Sequence, residues 1–172
     1  MKLTSILFSA AFSLFFALSA VAQTGTFSDA SVEYTFDLPE ITWKQTVKPS
    51  ETSPNVEYVY RDRADGHLEV RRAVVKAGEM LADIIKNEEQ RLQFQPGFVA
   101  GKEEDFKGSL NGRVFNYEFV RSGRNMSGRF YFLKVDDKTI YVLRFTGERD
   151  KLRSVRNQTD SIARTFEIKK AK

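Results

Sequence analysis

The stretch VRSGRNMSGRFYF, residues 120–132, places four residues between Gly123 and Gly128 and follows the second glycine with a basic side chain. That is the outline of a phosphate-cradling loop, in which backbone N–H groups hold the phosphates, a lysine reaches them and a Ser or Thr hydroxyl ligates magnesium. Here the lysine and hydroxyl places hold Arg129 and Phe130. Such a loop also leads into a helix whose N-terminal amides face the anion, whereas RFYFLKV alternates like a strand. The pattern therefore predicts a hairpin loop relaxed by Gly123 and Gly128, with no nucleotide site. Arg121, Arg124 and Arg129 remain as a basic loop able to contact an anionic partner, because a guanidinium offers several planar donors to carboxylate or phosphate. Arg113, or the pair Arg71 and Arg72, could join it. The competing reading pairs all of them with acidic neighbours on a solvated turn.

Other chemistry finds little support. His67 is the only histidine and there is no cysteine, a poor inventory for zinc or copper, so His67 is expected as a solvated residue beside the Asp65-Gly66 turn. Counting back from Gly66 puts Arg61 where a calcium loop needs its first carboxylate. A Ser-His-Asp arrangement would have to use His67, and no Gly-x-Ser-x-Gly elbow is present. The pairs Glu88-Glu89 and Glu103-Glu104 fall in solvated contexts; a two-carboxylate hydrolase is the alternative they leave open. No catalytic, metal or cofactor-binding residue is assigned, and no cofactor is expected. Asn125-Met126-Ser127 and Asn157-Gln158-Thr159 fit the glycosylation acceptor pattern, which short triplets often match by chance.

The elements that must position these residues follow from the rest of the chain. Met1-Lys2-Leu3 precedes an apolar run from Ile6 to Ala22 that closes on Ala20-Val21-Ala22, the layout of a secretory signal peptide cleaved between Ala22 and Gln23. Cleavage takes the formal charge from +4 to +3 and leaves 150 residues, an ordinary size for one domain. Localisation is then secreted or periplasmic, with no transmembrane span after cleavage. Basic and acidic residues are interspersed rather than blocked, so nucleic acid is not indicated as a partner. Residues 23–30 read as a flexible lead, 31–168 as one domain and 169–172 as a basic tail.

Within the domain, VEYTFDLP and TWKQTV read as strands, and VEYVY and HLEVRRAVV as a hairpin turned at Asp65-Gly66. GEMLADIIKNEEQRLQ has Leu81, Ile84, Ile85 and Leu92 on one side, an amphipathic helix ended before Pro96-Gly97. EEDFKGSL and RVFNYEFVR flank a second turn dipeptide, Asn111-Gly112, and GRFYFLKV and TIYVLRFTG flank Asp136-Asp137-Lys138. The last strands are apolar on both alternating sets, so the centre of the sheet should be covered on both sides. Leu152, Val155, Thr159, Ile162 and Phe166 form the stripe of a closing helix. The expected class is α+β, an antiparallel sheet with helices on both faces.

FDLPEITW near the mature start, the GEMLADIIKNEEQ helix, the run ending YVLRFTG and the closing SIARTF together resemble the PsbP-like superfamily. This is the α/β/α sandwich of the extrinsic photosystem II subunit, of a Ran-binding nuclear import factor and of bacterial secreted proteins. The resemblance spans roughly residues 30 to 168. It matches Phe36, Leu38, Trp43, Tyr141, Leu143, Phe145, Ile162 and Phe166 to positions that build the core. It implies a scaffold or binding role more than catalysis. An exported, non-enzymatic domain contacting an unidentified protein or an anionic envelope component is the resulting expectation, with a structural subunit of an envelope assembly as a further alternative.

Overall fold

The computed structural model describes residues 25–76 and 78–169; the apolar leader and the expected cleavage point lie outside them. The chain runs β1 (Gly25–Ser28), β2 (Tyr34–Leu38), β3 (Trp43–Val47), β4 (Val56–Tyr60), β5 (Asp62–Val74), α1 (Leu81–Leu92), β6 (Val99–Phe106), β7 (Gly112–Arg121), β8 (Arg124–Lys134), β9 (Thr139–Glu148), α2 (Arg149–Ser154), α3 (Arg156–Thr165) and β10 (Glu167–Ile168). Seven strands make one antiparallel sheet in the order β3-β4-β5-β9-β8-β7-β6, and β1, β2 and β10 make a smaller one.

The apolar pattern of β8 and β9 produces two cores. Phe130 and Phe132 join Phe115, Tyr117 and Ile140 with Ile85 and Leu92 of α1. The alternate residues Tyr131 and Leu133 join Leu143 and Phe145 with Leu152 of α2, Ile162 of α3 and Phe36 of β2. Successive strand side chains point to opposite faces, so one strand feeds both clusters. Burying each large side chain is worth about 1.5–3 kcal/mol relative to exposure. All eight residues that carried the family resemblance are buried in the second cluster.

The closing stripe is buried as its spacing requires, from Leu152 to Phe166. The helix itself is interrupted at Val155 (φ −104°, ψ 13°), which separates α2 from α3 while leaving the Val155 side chain in the core. The lead expected to be flexible contains β1, because Phe27 is buried against Phe36 across the β1–β2 pair.

Two expected turns differ. Asp65-Gly66 does not reverse the β4–β5 hairpin; Arg61, at φ +58°, does. Val59 pairs with His67 while Tyr60 pairs with Asp62, so residues 63–66 bulge out. The Asp62 carboxylate accepts the N–H groups of Ala64 (2.7 Å) and Asp65 (3.0 Å), a side-chain-stabilised turn that competes with the dipeptide signal. Asn111-Gly112 is likewise not a two-residue turn, since Gly112 is already the first residue of β7.

The β7–β8 connection is the expected hairpin, but it uses only Ser122 (φ +51°) and Gly123 (φ +74°). Positive φ at both central residues matches the strand twist, as in a type I′ turn. Gly128 is not part of it. It pairs with Tyr117 inside the sheet, and a Cβ there would lie 2.1 Å from the Tyr117 ring. The absent side chain makes room for the ring.

Gly128→Ala is expected to cost about 1–3 kcal/mol by overpacking, read as a lower urea midpoint; a change below about 0.5 kcal/mol would show that the Tyr117 ring moves freely aside. Burial also raises the phenol pKa values of Tyr34, Tyr58, Tyr131 and Tyr141, with Tyr58 pushed up to about 12. Below pH 10 these groups are protonated in both states. Above it the unfolded chain releases protons that the fold retains, so stability is lost as pH rises from about 10 through 12 and beyond. The larger part of the tyrosinate absorbance at 295 nm should therefore appear together with loss of circular dichroism above pH 10; most of it forming well before unfolding would contradict this.

Candidate functional site

The structure separates the three loop arginines. Arg121 and Arg124 face each other across the hairpin, Arg121 over the Phe119 ring and Arg124 donating to Glu148 at 2.7 Å. Arg129 lies five residues further along β8. Five residues of strand span about 17 Å, and an odd step reverses the side-chain direction. Arg129 is accordingly a buried residue and not part of the exposed loop. The other arginines considered with them are engaged elsewhere: Arg113 with Glu103 (2.7 Å), Arg71 with Glu69 (2.9 Å) and Arg72 with Glu33 (3.7 Å).

Arg129 organises a polar network at the edge of the second core. Its guanidinium donates to Asp160 of α3 (2.7 Å), Asn116 of β7 (2.6 Å) and the Tyr131 hydroxyl (2.6 Å). Tyr131 in turn donates to Asp160 and lies 3.0 Å from the Thr159 hydroxyl, and the Asn116 amide donates to the Lys102 carbonyl at 3.2 Å. Burial opposes the Arg129 charge, yet Tyr131 and Asp160 outweigh it and raise the guanidinium pKa above its ordinary value. The network fixes α3 to β7 and β8 through one charge.

Beside this network a groove of about 450 Å³ opens between the first residues of β6 and the α2–α3 wall. Val99, Ala100, Gly101 and Leu152 supply apolar lining, Asn116, Glu118, Ser127 and Arg129 come from β7 and β8, and Arg149, Arg153 and Arg156 line the helical wall. Arg149 approaches Glu118 at 3.8 Å and Asp150 at 3.6 Å, and Arg153 approaches Asp150 at 3.8 Å. These are longer than good hydrogen bonds. Among the described residues Arg156 has no carboxylate within 4 Å. The three arginines escaped the sequence reading, although their steps of four and three residues, running beside the apolar stripe, were the available signal.

His67 is not a solvated turn residue. It is 3% exposed, because the bulge at 63–66 moves the turn away and leaves it inside β5 opposite Val59 and Thr146. Its Nε2 lies 2.9 Å from Glu57 and its Nδ1 3.8 Å from Glu69. Donor atoms of these three residues fall within 4.8 Å of one another, a spacing able to hold a metal ion. The carboxylates also face Arg63 (3.4 Å), Arg71 (2.9 Å) and Arg144 (3.9 Å), whose charges oppose a cation there. Of the carboxylate pairs, Glu88 meets Arg91 (2.7 Å) and Glu103 meets Arg113. Asn125 and Asn157 are both exposed, on β8 and α3.

Asp160→Asn should lower stability by about 2–4 kcal/mol, since it leaves Arg129 buried without its counter-charge. Arg129→Met/Asp160→Leu should cost less than the sum of the single changes. Urea melts of the four proteins in the cycle decide this, and strict additivity would dissolve the network.

No protein-family model matches the chain, and no curated protein matches it in sequence. Solved structures do match in shape. LpqN of Mycobacterium tuberculosis, described as involved in cell envelope biogenesis, aligns over 86% of this chain and 91% of its own at 15% identity and a TM-score of 0.58. The cyanobacterial PsbP of Synechocystis aligns over 87% and 95% at 15% identity and 0.56. A protein of unknown function from Pseudomonas aeruginosa aligns over 87% and 100% at 13% identity and 0.57. At such identities the likeness speaks to backbone architecture alone. The chain has the PsbP-like fold.

Proposed function

We propose that this is an exported binding domain without catalytic chemistry, which holds an anionic partner at the arginine-lined groove between β6 and α2–α3. The observation that carries the reading is the convergence of Arg149, Arg153 and Arg156 on a concave, partly apolar site whose floor is fixed by the Arg129–Asp160 pair. Concave sites with apolar lining and a few placed polar groups are the usual form of ligand sites. Arg124, which lines a neighbouring hollow together with Arg149, extends the positive surface toward the hairpin, where Arg121 adds a further charge. Carboxylate-pair hydrolysis needs two facing carboxyl groups, and Glu118 is the groove's one lining carboxylate among the described residues.

We read the architecture as an α/β/α sandwich forming one domain, with α1 on one side and α2 and α3 on the other; the alternation of the two clusters along β8 and β9 supports this. An exported location, after cleavage between Ala22 and Gln23, rests on the leader's pattern. No helix among the described residues is long and apolar enough to cross a membrane. LpqN's described involvement in cell envelope biogenesis makes an anionic envelope component or an envelope protein a reasonable partner.

The test is retention on immobilised heparin across a salt gradient. Arg149→Glu/Arg153→Glu/Arg156→Glu should elute about 0.1 M or more below a charge-matched control, Lys44→Glu/Arg91→Glu/Arg164→Glu, because the groove concentrates its charge within a Debye length of about 8–10 Å. Arg121→Glu/Arg124→Glu should give a smaller shift. Co-elution of groove variant and control would reject the groove as the anion site.

A further inference from the structure

Resting on that reading of the groove, we propose that its occupant is an extended acidic peptide carrying a carboxylate at every second residue. Arg149 and Arg153 are four residues apart on α2, and Arg156 follows three residues later at the start of α3. At 1.5 Å of rise per residue the first step is about 6 Å along α2, and the interruption at Val155 sets Arg156 at the head of the next helix on the same groove wall. In an extended chain, side chains on one face recur every two residues, about 6.6–6.8 Å. Two alternating carboxylates therefore match the Arg149–Arg153 spacing and a third continues toward Arg156 on the same wall, each pair able to form the two-pronged contact that arginine makes with a carboxylate. A single phosphate or a compact cluster of charges engages only part of such a row.

The charges of the groove favour this occupant. Arg129 is neutralised by Asp160 at 2.7 Å, so the remaining lining charges are Arg149, Arg153 and Arg156 against Glu118, a net +2. Asp150 touches Arg149 and Arg153 only at 3.6 and 3.8 Å and is 80% exposed, so it yields both to an incoming carboxylate. Opposite the arginines, Val99 is 60% exposed at the start of β6 and offers an apolar contact to the peptide's uncharged residues. The occupant therefore alternates acidic residues, turned to α2–α3, with small or apolar ones.

Fluorescence anisotropy tests this with two labelled heptapeptides of equal composition, Ser-Glu-Ser-Glu-Ser-Glu-Ser and Ser-Ser-Glu-Glu-Glu-Ser-Ser. The alternating peptide should bind about fivefold or more tightly than the clustered one. Arg153→Glu/Arg156→Glu should weaken it by about tenfold or more, Glu118→Gln should strengthen it about twofold to threefold, and Arg164→Glu, outside the groove, should leave it unchanged. Arg153 and Arg156 are exposed, so their reversal leaves the core intact. Equal affinity for the two peptides, or tighter binding of a heparin tetrasaccharide or tripolyphosphate to the same arginines, overturns the peptide while leaving an anion groove. If no anion responds to reversal of Arg153 and Arg156, the groove reading itself falls.

Discussion

Strands β8 and β9 carry large apolar side chains on both alternating sets, and much of the molecule follows from the need to keep water off all of them. Tyr131, Phe132 and Leu133 are consecutive and fully buried. Neither direction can face solvent at a cost the small net stability of a domain would tolerate. One set clusters with Ile85 and Leu92, the other with Phe36, Leu152 and Ile162. The chain thus has to return three times to the same two strands, from positions far apart in sequence.

The cover runs out toward β6. From Val99 to Asp105 that strand is exposed, and it carries Lys102, Glu103, Glu104 and Asp105 together with a register irregularity between Ala100 and Glu103. Charges and an irregular register are how an unpaired sheet edge avoids recruiting other strands. The groove lies where the α2–α3 wall stops short of this edge. A gap of this kind would destabilise the fold if its floor were apolar alone; Asn116 and the buried Arg129–Asp160 pair make it tolerant of water. One ion pair thereby serves both sides, anchoring α3 to the sheet and finishing the floor of the groove.

His67 and Arg129 illustrate how position within a strand sets the character of a polar residue. Each looked like part of a turn by its neighbours in sequence, and each is buried, 3% and 7% exposed, beside carboxylates contributed by other segments. Low-dielectric burial makes such partners obligatory. The bulge at residues 63–66 and the two-residue turn at Ser122-Gly123 are the local features that shift these residues from loop to sheet.

Periodicity alone was enough for the class of fold, the amphipathic α1, the buried stripe from Leu152 to Phe166 and the doubly apolar centre of the sheet, because burial selects side chains at fixed angular intervals along a helix or strand. Gly123 announced its hairpin for the same local reason. Turn dipeptides were less decisive: Asp65-Gly66 lost to the Asp62 carboxylate, and Gly112 and Gly128 sit inside strands, Gly128 where the Tyr117 ring needs the room. The site was the least legible part. Arg121, Arg124 and Arg129 are near one another in sequence but diverge in space, since an odd step along a strand reverses direction. Arg149, Arg153 and Arg156 converge with β6, nearly fifty residues earlier. Only the tertiary structure decides which arginines share a surface, because that depends on the order in which distant strands pair and on where the helical cover ends.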